Sequence, residues 1–394
     1  MSRSVRIAGV GMTPFVKPSG SPSYVELAKA AVSHAFADAG VEYPDVEQAY
    51  VGYVYGDSTC GQTALYEVGL TGIPIVNVNN NCATGSTALF LARQAVASGA
   101  VECALAVGFE QMEPGALAMR YADRPSPLDR FMAIAEEKDP AARNVPIAVR
   151  LFGGAGLEYQ ERYGMKDETF ARVSEKARRH ARHNERAIFR NPVTVEEVLA
   201  SPKVYGPLTR LQCCPPTCGA AAAVVVSEDF ARRRALSANV AIRAQAMSTD
   251  FPSSFEDKSL IKAVGYDMTA AAARKVYEAG GIGPQDVNVV ELHDCFTANE
   301  IITYEGLGLT PPGTAERFIS DGDNTYGGKI VTNPSGGLLS KGHPLGATGL
   351  AQCAELVWQL RGQAGARQVE GARLGLQHNL GLGGACVVTL YERL

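Results

Sequence analysis

The sequence predicts an α/β fold built from two similar halves. Three observations predict it. Apolar runs of strand length alternate with amphipathic helical stretches, the order of these elements recurs in the second half of the chain, and an irregular charged segment interrupts the first half near its end.

The elements follow in order. Residues 5–10 read as a first strand, residues 24–39 as an amphipathic helix ending at Gly40, and residues 46–55 as a second strand. The stretch Ile73-Pro74-Ile75-Val76-Asn77-Val78-Asn79-Asn80-Asn81-Cys82-Ala83-Thr84-Gly85-Ser86 then reads as a short buried strand, a polar turn and a helix start. That helix carries apolar residues at Ala88, Leu89, Ala92, Ala95 and Val96 and stops at Gly99. Residues 103–107 form a further strand, and the alternation predicts a parallel sheet with crossover helices. From about Glu113 to Gly206 the order becomes irregular, and strand character resumes over residues 220–226. The second half repeats the first. A helix, glycines at 280 and 281, Asp286-Val287 and a strand match the helix, Gly40, Asp45-Val46 and strand of the first half. Ala347-Thr348-Gly349 opens a helix as Ala83-Thr84-Gly85 does, and residues 387–390 close the half as residues 103–107 close the other.

The totals exclude several classes. Hydrophobic residues make up 46% and charged residues 20%, as in an ordinary globular chain, and the net charge of −4 argues against general nucleic-acid binding. No apolar run reaches the length of a membrane span, the N-terminus has no signal-peptide pattern, and the last residues are not the Ser-Lys-Leu address. The expectation is a cytoplasmic protein. Its nine scattered cysteines then read as reduced thiols. Cys213, Cys214 and Cys218 cluster, but their spacing suits structural thiols better than zinc, and no metal is expected.

Three stretches hold the reactive groups: Asn81-Cys82-Ala83-Thr84-Gly85, Glu291-Leu292-His293-Asp294-Cys295-Phe296 and Ser340-Lys341-Gly342-His343-Pro344-Leu345-Gly346-Ala347-Thr348-Gly349. Cys82 sits at a strand-to-helix turn, where unpaired amides should lower a thiol pKa, and the small residues beside it leave room for substrate. His293 and Cys295 follow a strand over residues 287–292 and so lie at its C-terminal end, where open α/β sheets bind ligands. His343 precedes a helix in a glycine-rich turn, the place that mirrors Cys82 in the other half, and a cysteine with a histidine base is an activated nucleophile. A fourth glycine-rich turn, His378-Asn379-Leu380-Gly381-Leu382-Gly383-Gly384, offers amides for an oxyanion hole or is a plain tight turn. The basic run over residues 170–189 reads either as a solvated helix face or as a landing site for nucleotide phosphates.

These residues carry a resemblance. Asn79-Asn80-Asn81-Cys82-Ala83-Thr84-Gly85-Ser86 resembles the nucleophile motif of the thiolase superfamily, and Gly342-His343-Pro344 its base motif. His293-Asp294-Cys295-Phe296 is similar to the motif that sets the sterol-carrier-protein type apart from thiolases with Asn-Glu-Ala-Phe there. Gly56-Asp57-Ser58-Thr59-Cys60-Gly61 and Asn333-Pro334-Ser335-Gly336-Gly337 also resemble this branch, and the likeness runs nearly end to end. The resemblance implies a thiolase-like fold of two α/β halves in five αβαβα layers with an inserted loop domain that binds coenzyme A, and a homodimer. It places the N-terminal half at 1–115 and 207–237, the loop domain at 116–206 and the C-terminal half at 238–394.

By motif, Cys82 would be the acylated nucleophile, His343 its base, His293 the group that holds the thioester oxygen, and Cys295 the acid/base. Cys82, Gly381, His293 and His343 would form the oxyanion sites, and Arg172, Arg179, Arg182 and Arg186 would hold CoA phosphates. CoA enters as a substrate and no cofactor is permanently bound. The family's usual C-terminal Cys-x-Gly reads Asn379-Leu380-Gly381 here, consistent with Cys295 having taken over, and Cys386 reads as core. Cys218 stands where an Asp is usual. The expectation is that the lipid-binding domain of the fused relatives is absent after Leu394, which leaves a separate lipid-carrier protein as a candidate partner. The implied activity is 3-ketoacyl-CoA thiolysis through an acyl-cysteine, with long, 2-methyl-branched or sterol side-chain substrates. The rivals are a thiolase-like aldolase, which would not need Cys82, and a catalytically silent CoA- or lipid-binding subunit.

Overall fold

A computed structural model describes residues 3–113 and 121–394. The boundary expected at residues 115 and 116 lies outside the described residues. The first half runs β1 (Val5–Met12), α1 (Tyr24–Ala39), β2 (Gln48–Gly52), β3 (Ile75–Val78), α2 (Thr84–Ser98) and β4 (Cys103–Glu110). The insert contributes α3 (Ile147–Tyr163) and α4 (Asp167–Ala181) before β5 (Gly219–Ser227) completes the half. The second half runs β6 (Val240–Ser248), α5 (Tyr266–Gly280), β7 (Val289–Glu291), α6 (Thr297–Gly306), β8 (Val331–Thr332), α7 (Leu345–Arg361), β9 (Leu374–Gly381) and β10 (Ala385–Arg393).

Local chemistry sets these limits. Ser23 caps α1 by accepting from the Glu26 amide while the Glu26 carboxylate accepts from the Ser23 amide, and Gly40 ends the helix in the left-handed region at φ 69°. Gly99 ends α2 in the same way at φ 81°.

The strand order β3-β2-β4-β5-β1 in the first half equals β8-β7-β9-β10-β6 in the second, so the repeat in the sequence is a repeat in space. The halves join where β1 pairs with β6, Arg6 opposite Ala241 and Ile7 opposite Val240, giving one continuous ten-stranded sheet. It is mixed rather than parallel. β2 runs parallel to β3 and β4, and β7 parallel to β8 and β9. β5 is antiparallel to β1 and β4, and β10 to β9 and β6. The departure has a plain cause. β10 follows β9 through a tight turn at Leu382 to Gly384, and a turn of that length joins only antiparallel strands. That turn also places His378 to Gly381 within β9 instead of in the loop expected from the sequence.

α2 and α7 pack on each other and on strands of both halves, forming the central layer, while α1 covers the outer face of β1 and β5 and α5 that of β6 and β10. The five layers are therefore α1, the first-half strands, α2 with α7, the second-half strands, and α5. The two central helices meet in backbone contact near their N-termini. A Cβ built at Gly85 would lie 2.6 Å from the Gly346 carbonyl, and one at Gly349 would strike Ser86. That close approach brings the turns holding Cys82 and His343 together.

Candidate active site

Cys82 lies between β3 and α2, two residues before the first helical residue, Thr84. Asn81 before it takes the left-handed region at φ 50°, which Asn tolerates better than most residues. The Thr84 hydroxyl fixes the turn, donating to the Asn81 carbonyl at 2.6 Å and accepting from the Asn80 amide at 2.8 Å. The Asn81 side-chain amide donates to the Leu382 carbonyl at 3.1 Å and so ties the β9–β10 turn to the cysteine.

His343 lies two residues before α7, as Cys82 does before α2. Gly342 ahead of it has φ 118°, and a Cβ there would come within 2.8 Å of Thr217. The His343 Nδ1 is 2.7 Å from the Thr348 hydroxyl, which itself donates to the Pro344 carbonyl at 2.9 Å. The hydroxyl must therefore accept, so Nδ1 carries the proton and Nε2 carries a lone pair. That Nε2 is buried with no partner among the described residues. His293 is arranged the other way. The Asn379 amide donates to its Nδ1 at 3.1 Å, which leaves the proton on Nε2. The two rings stand edge to face, 5.0 Å apart at 87°. One imidazole offers a base and the other a donor.

Donor atoms of Cys82, His293 and His343 all lie within 4.8 Å of one another. These three residues and Cys295 line one cavity of about 600 Å³, walled otherwise by apolar side chains such as Met112, Ile147, Phe152, Phe296 and Leu380. Cys295 is buried on the loop between β7 and α6, where its carbonyl accepts from the Cys214 amide at 2.9 Å. Cys214 lines the same cavity.

Burial dominates the electrostatics. The Cys82 thiol is pushed up to about 12 by burial and by the Glu110 carboxylate. The amides of Cys82 and Leu382 act on the sulfur in the opposite sense, with smaller effect. Burial lowers His343 to about 3 and holds His293 well below its usual range. Cys295 is pushed well up by burial, with Cys214 and Cys82 adding to the shift. The resting site holds neutral thiols and neutral imidazoles, and the lowered thiol pKa expected from the helix start is not what the structure gives.

Other expectations are redistributed. The basic run is not one helix. α4 ends at Ala181, leaving Arg182, Arg186 and Arg190 beyond it. Lys176 turns inward to Glu300, Tyr304 and Thr332, and Arg178 lies 4.2 Å from the Phe189 ring. Arg186 stacks 4.5 Å over Trp358, while Arg172, Arg179 and Arg182 are exposed. None of the four arginines named for CoA lines the cavity. Gly381 packs against the Cys82 turn, 3.0 Å from the Ala83 nitrogen for a Cβ built there. It is the next residue, Leu382, whose amide faces the sulfur. Cys218 is fully buried, its sulfur 3.1 Å from the Met112 amide, and Cys386 is fully buried in β10.

Sequence reasoning missed Glu110, Cys214, Leu382, Thr348 and Asn379. Thr348, Asn379 and Leu382 stood in motifs it had marked and Cys214 in a marked cluster, but none had been given a role. Glu110 accepts from the amides of Tyr55 at 2.8 Å and Gly346 at 3.0 Å, partners in the loop after β2 and at the start of α7 that no local pattern reveals.

Comparison with known proteins agrees with this architecture. The family model "Thiolase, N-terminal domain" matches residues 5–229, and "Thiolase C-terminal domain-like" matches residues 256–391. The chain is 58% identical over 394 residues to sterol carrier protein 2 of Gallus gallus, covering 99% of this chain and 72% of that one. It is 56% identical over 394 residues to sterol carrier protein 2 of Homo sapiens, with the same coverage. An acetyl-CoA acetyltransferase of Methanothermobacter thermautotrophicus is 36% identical, covering 99% of this chain and 100% of that one. Among solved structures, an Ltp2-ChsH2(DUF35) aldolase superposes with TM-score 0.83 at 26% identity, over 99% of this chain and 98% of that one. Human mitochondrial 3-ketoacyl-CoA thiolase in complex with CoA superposes with TM-score 0.74 at 19% identity, over 100% of this chain and 98% of that one, a likeness of fold. With both family domains matched and sterol carrier protein 2 relatives aligned over nearly its whole length, the chain belongs to the thiolase family.

Proposed function

We propose that this thiolase-family protein is an acyltransferase that cleaves a 3-ketoacyl-CoA and passes the acyl group to free CoA through Cys82. The observation that carries the reading is the meeting of Cys82 and His343, from opposite halves, with His293 and Cys295 in one apolar cavity.

The chemistry follows from the proton positions. The His343 Nε2 lone pair takes the Cys82 proton as the sulfur attacks the 3-keto carbon. Both partners start neutral, so proton transfer and attack proceed together as negative charge moves onto the keto oxygen. The backbone amides of Cys82 and Leu382, which act on the sulfur, would serve as donors to that developing charge. Collapse breaks the bond between C2 and C3. It leaves the acyl group on Cys82 and an enolate of the released acyl-CoA, whose thioester oxygen is held by the His293 Nε2–H. A thiol kept neutral by burial is the right starting state for Cys295 to protonate that enolate. The Cys295 thiolate then takes the proton of incoming CoA, whose sulfur displaces Cys82, and the released Cys82 thiolate takes back the proton held on His343 Nε2. The apolar walls suit a long or 2-methyl-branched acyl chain or a sterol side chain.

An aldolase of this fold is among the structural neighbours, but cleavage of a 3-hydroxyacyl-CoA needs no nucleophile, and this chain retains Cys82, His343 and Cys295 together. Steady-state thiolysis tests the assignment. Cys295→Ala should lose turnover by about 10²- to 10⁴-fold while still binding CoA, and Cys386→Ala, away from the cavity, should stay near wild type. Full activity in Cys295→Ala would move the acid/base role elsewhere.

Self-pairing through β3 belongs to the same reading. β3 is an outer strand of the sheet, with Val76 37% and nearby Leu70 79% exposed. Light scattering should find a dimer that Val76→Asp weakens, and a wild-type monomer at micromolar concentration would remove the proposal.

A further inference from the structure

We propose that Cys82, His293 and His343 also form a site for a soft or borderline divalent cation such as Zn²⁺, which silences the protein by taking the nucleophile as a ligand.

The donor set is one sulfur and two imidazole nitrogens, all within 4.8 Å of one another. A tetrahedral zinc, with Zn–S near 2.3 Å and Zn–N near 2.0–2.1 Å, needs ligand atoms about 3.4–3.6 Å apart. Side-chain rotation of about 1 Å closes that gap, and the cavity gives the sulfur room to move.

The surroundings fit a metal ligand set. His343 presents a buried Nε2 with no hydrogen-bond partner among the described residues, while its Nδ1–H is held by Thr348, the outer-shell arrangement that orients a ligating imidazole. His293 would bind through Nε2, which moves its proton to Nδ1. Asn379 can accept that proton's hydrogen bond by turning its amide, because its Oδ1 is buried and without a partner among the described residues. Three protein ligands leave a fourth position for water, as in three-ligand zinc sites. No carboxylate belongs to the set, so Mg²⁺ and Ca²⁺ are poor occupants. Binding exchanges the thiol proton for the metal. The S–H bond breaks, a sulfur–metal bond forms, the proton leaves to solvent and nothing is oxidised. The cation then occupies the sulfur lone pair and the base together.

Co²⁺ titration reads the site without reference to turnover, so the result stands apart from the acyl-transfer reading. Wild type should show a near-ultraviolet thiolate-to-cobalt band that saturates at one equivalent and is displaced by Zn²⁺. Cys82→Ser should lose the band, and His293→Gln and His343→Gln should each weaken binding by at least about tenfold. Cys214→Ser should keep it. Zn²⁺, but not Mg²⁺, should protect Cys82 from iodoacetamide. Circular dichroism confirms that each variant is folded. No cobalt band in wild type, a band that survives Cys82→Ser, or one that depends on Cys214 would overturn the proposal.

Discussion

At Cys82 two effects oppose each other. The start of α2 favours a thiolate, but a helix terminus contributes about 0.3–1 kcal/mol within its first turn, less than one pKa unit. Burial shifts ionisable groups by up to about 3–5 units, and Glu110 adds to it, so the thiol is pushed up to about 12. The motif located the residue, but its resting state depends on partners distant in sequence. Against Cys103, Cys218, Cys353 and Cys386, which are fully buried, its advantage is access, whereas Cys213, Cys214 and Cys295 line the same cavity. Raising pH converts thiol to thiolate, so the iodoacetamide rate at Cys82 should keep rising from pH 7 to 10. An ordinary thiol with pKa near 8.5 would level off about a unit above that value. A plateau already reached at pH 8, read by peptide mass mapping, would show a preformed ion pair instead.

At the scale of the element, α4 shows where sequence reading stops. The run of basic residues is visible, and a solvated face or a phosphate site are its two sequence readings. Neither describes Lys176, whose ammonium is buried against Glu300, a residue 124 positions later. Lys176→Ala would strand that carboxylate and should lower unfolding stability by about 3–5 kcal/mol in urea titration. Alanine at exposed Arg172, Arg179 or Arg182 should leave stability unchanged and raise the KM for CoA if these side chains hold its phosphates. An unchanged KM in all three would return the run to a solvated face. Helix limits were legible where caps and glycines marked them, as at Gly40 and Gly99. Strand direction was not, because β5 and β10 owe theirs to the long insert and the tight β9–β10 turn that deliver the chain to the sheet.

At the scale of the molecule, the internal repeat is what makes the site. Equivalent turns before α2 and α7 carry Cys82 and His343, and the glycine-lined crossing of those helices brings the turns together. The order of elements and the mirrored positions were legible because each recurs along the chain. The proton positions on the two imidazoles were not, since Thr348 and Asn379 set them through contacts that exist only after folding. The central claim is that the acyl group passes through Cys82. Peptide mass mapping after acid quench, with a 3-ketoacyl-CoA and no free CoA, tests it most directly. The account predicts the acyl mass on the Cys82 peptide, lost on adding CoA. Cleaved substrate with Cys82 unmodified, or the acyl mass on Cys214 or Cys295, would contradict it.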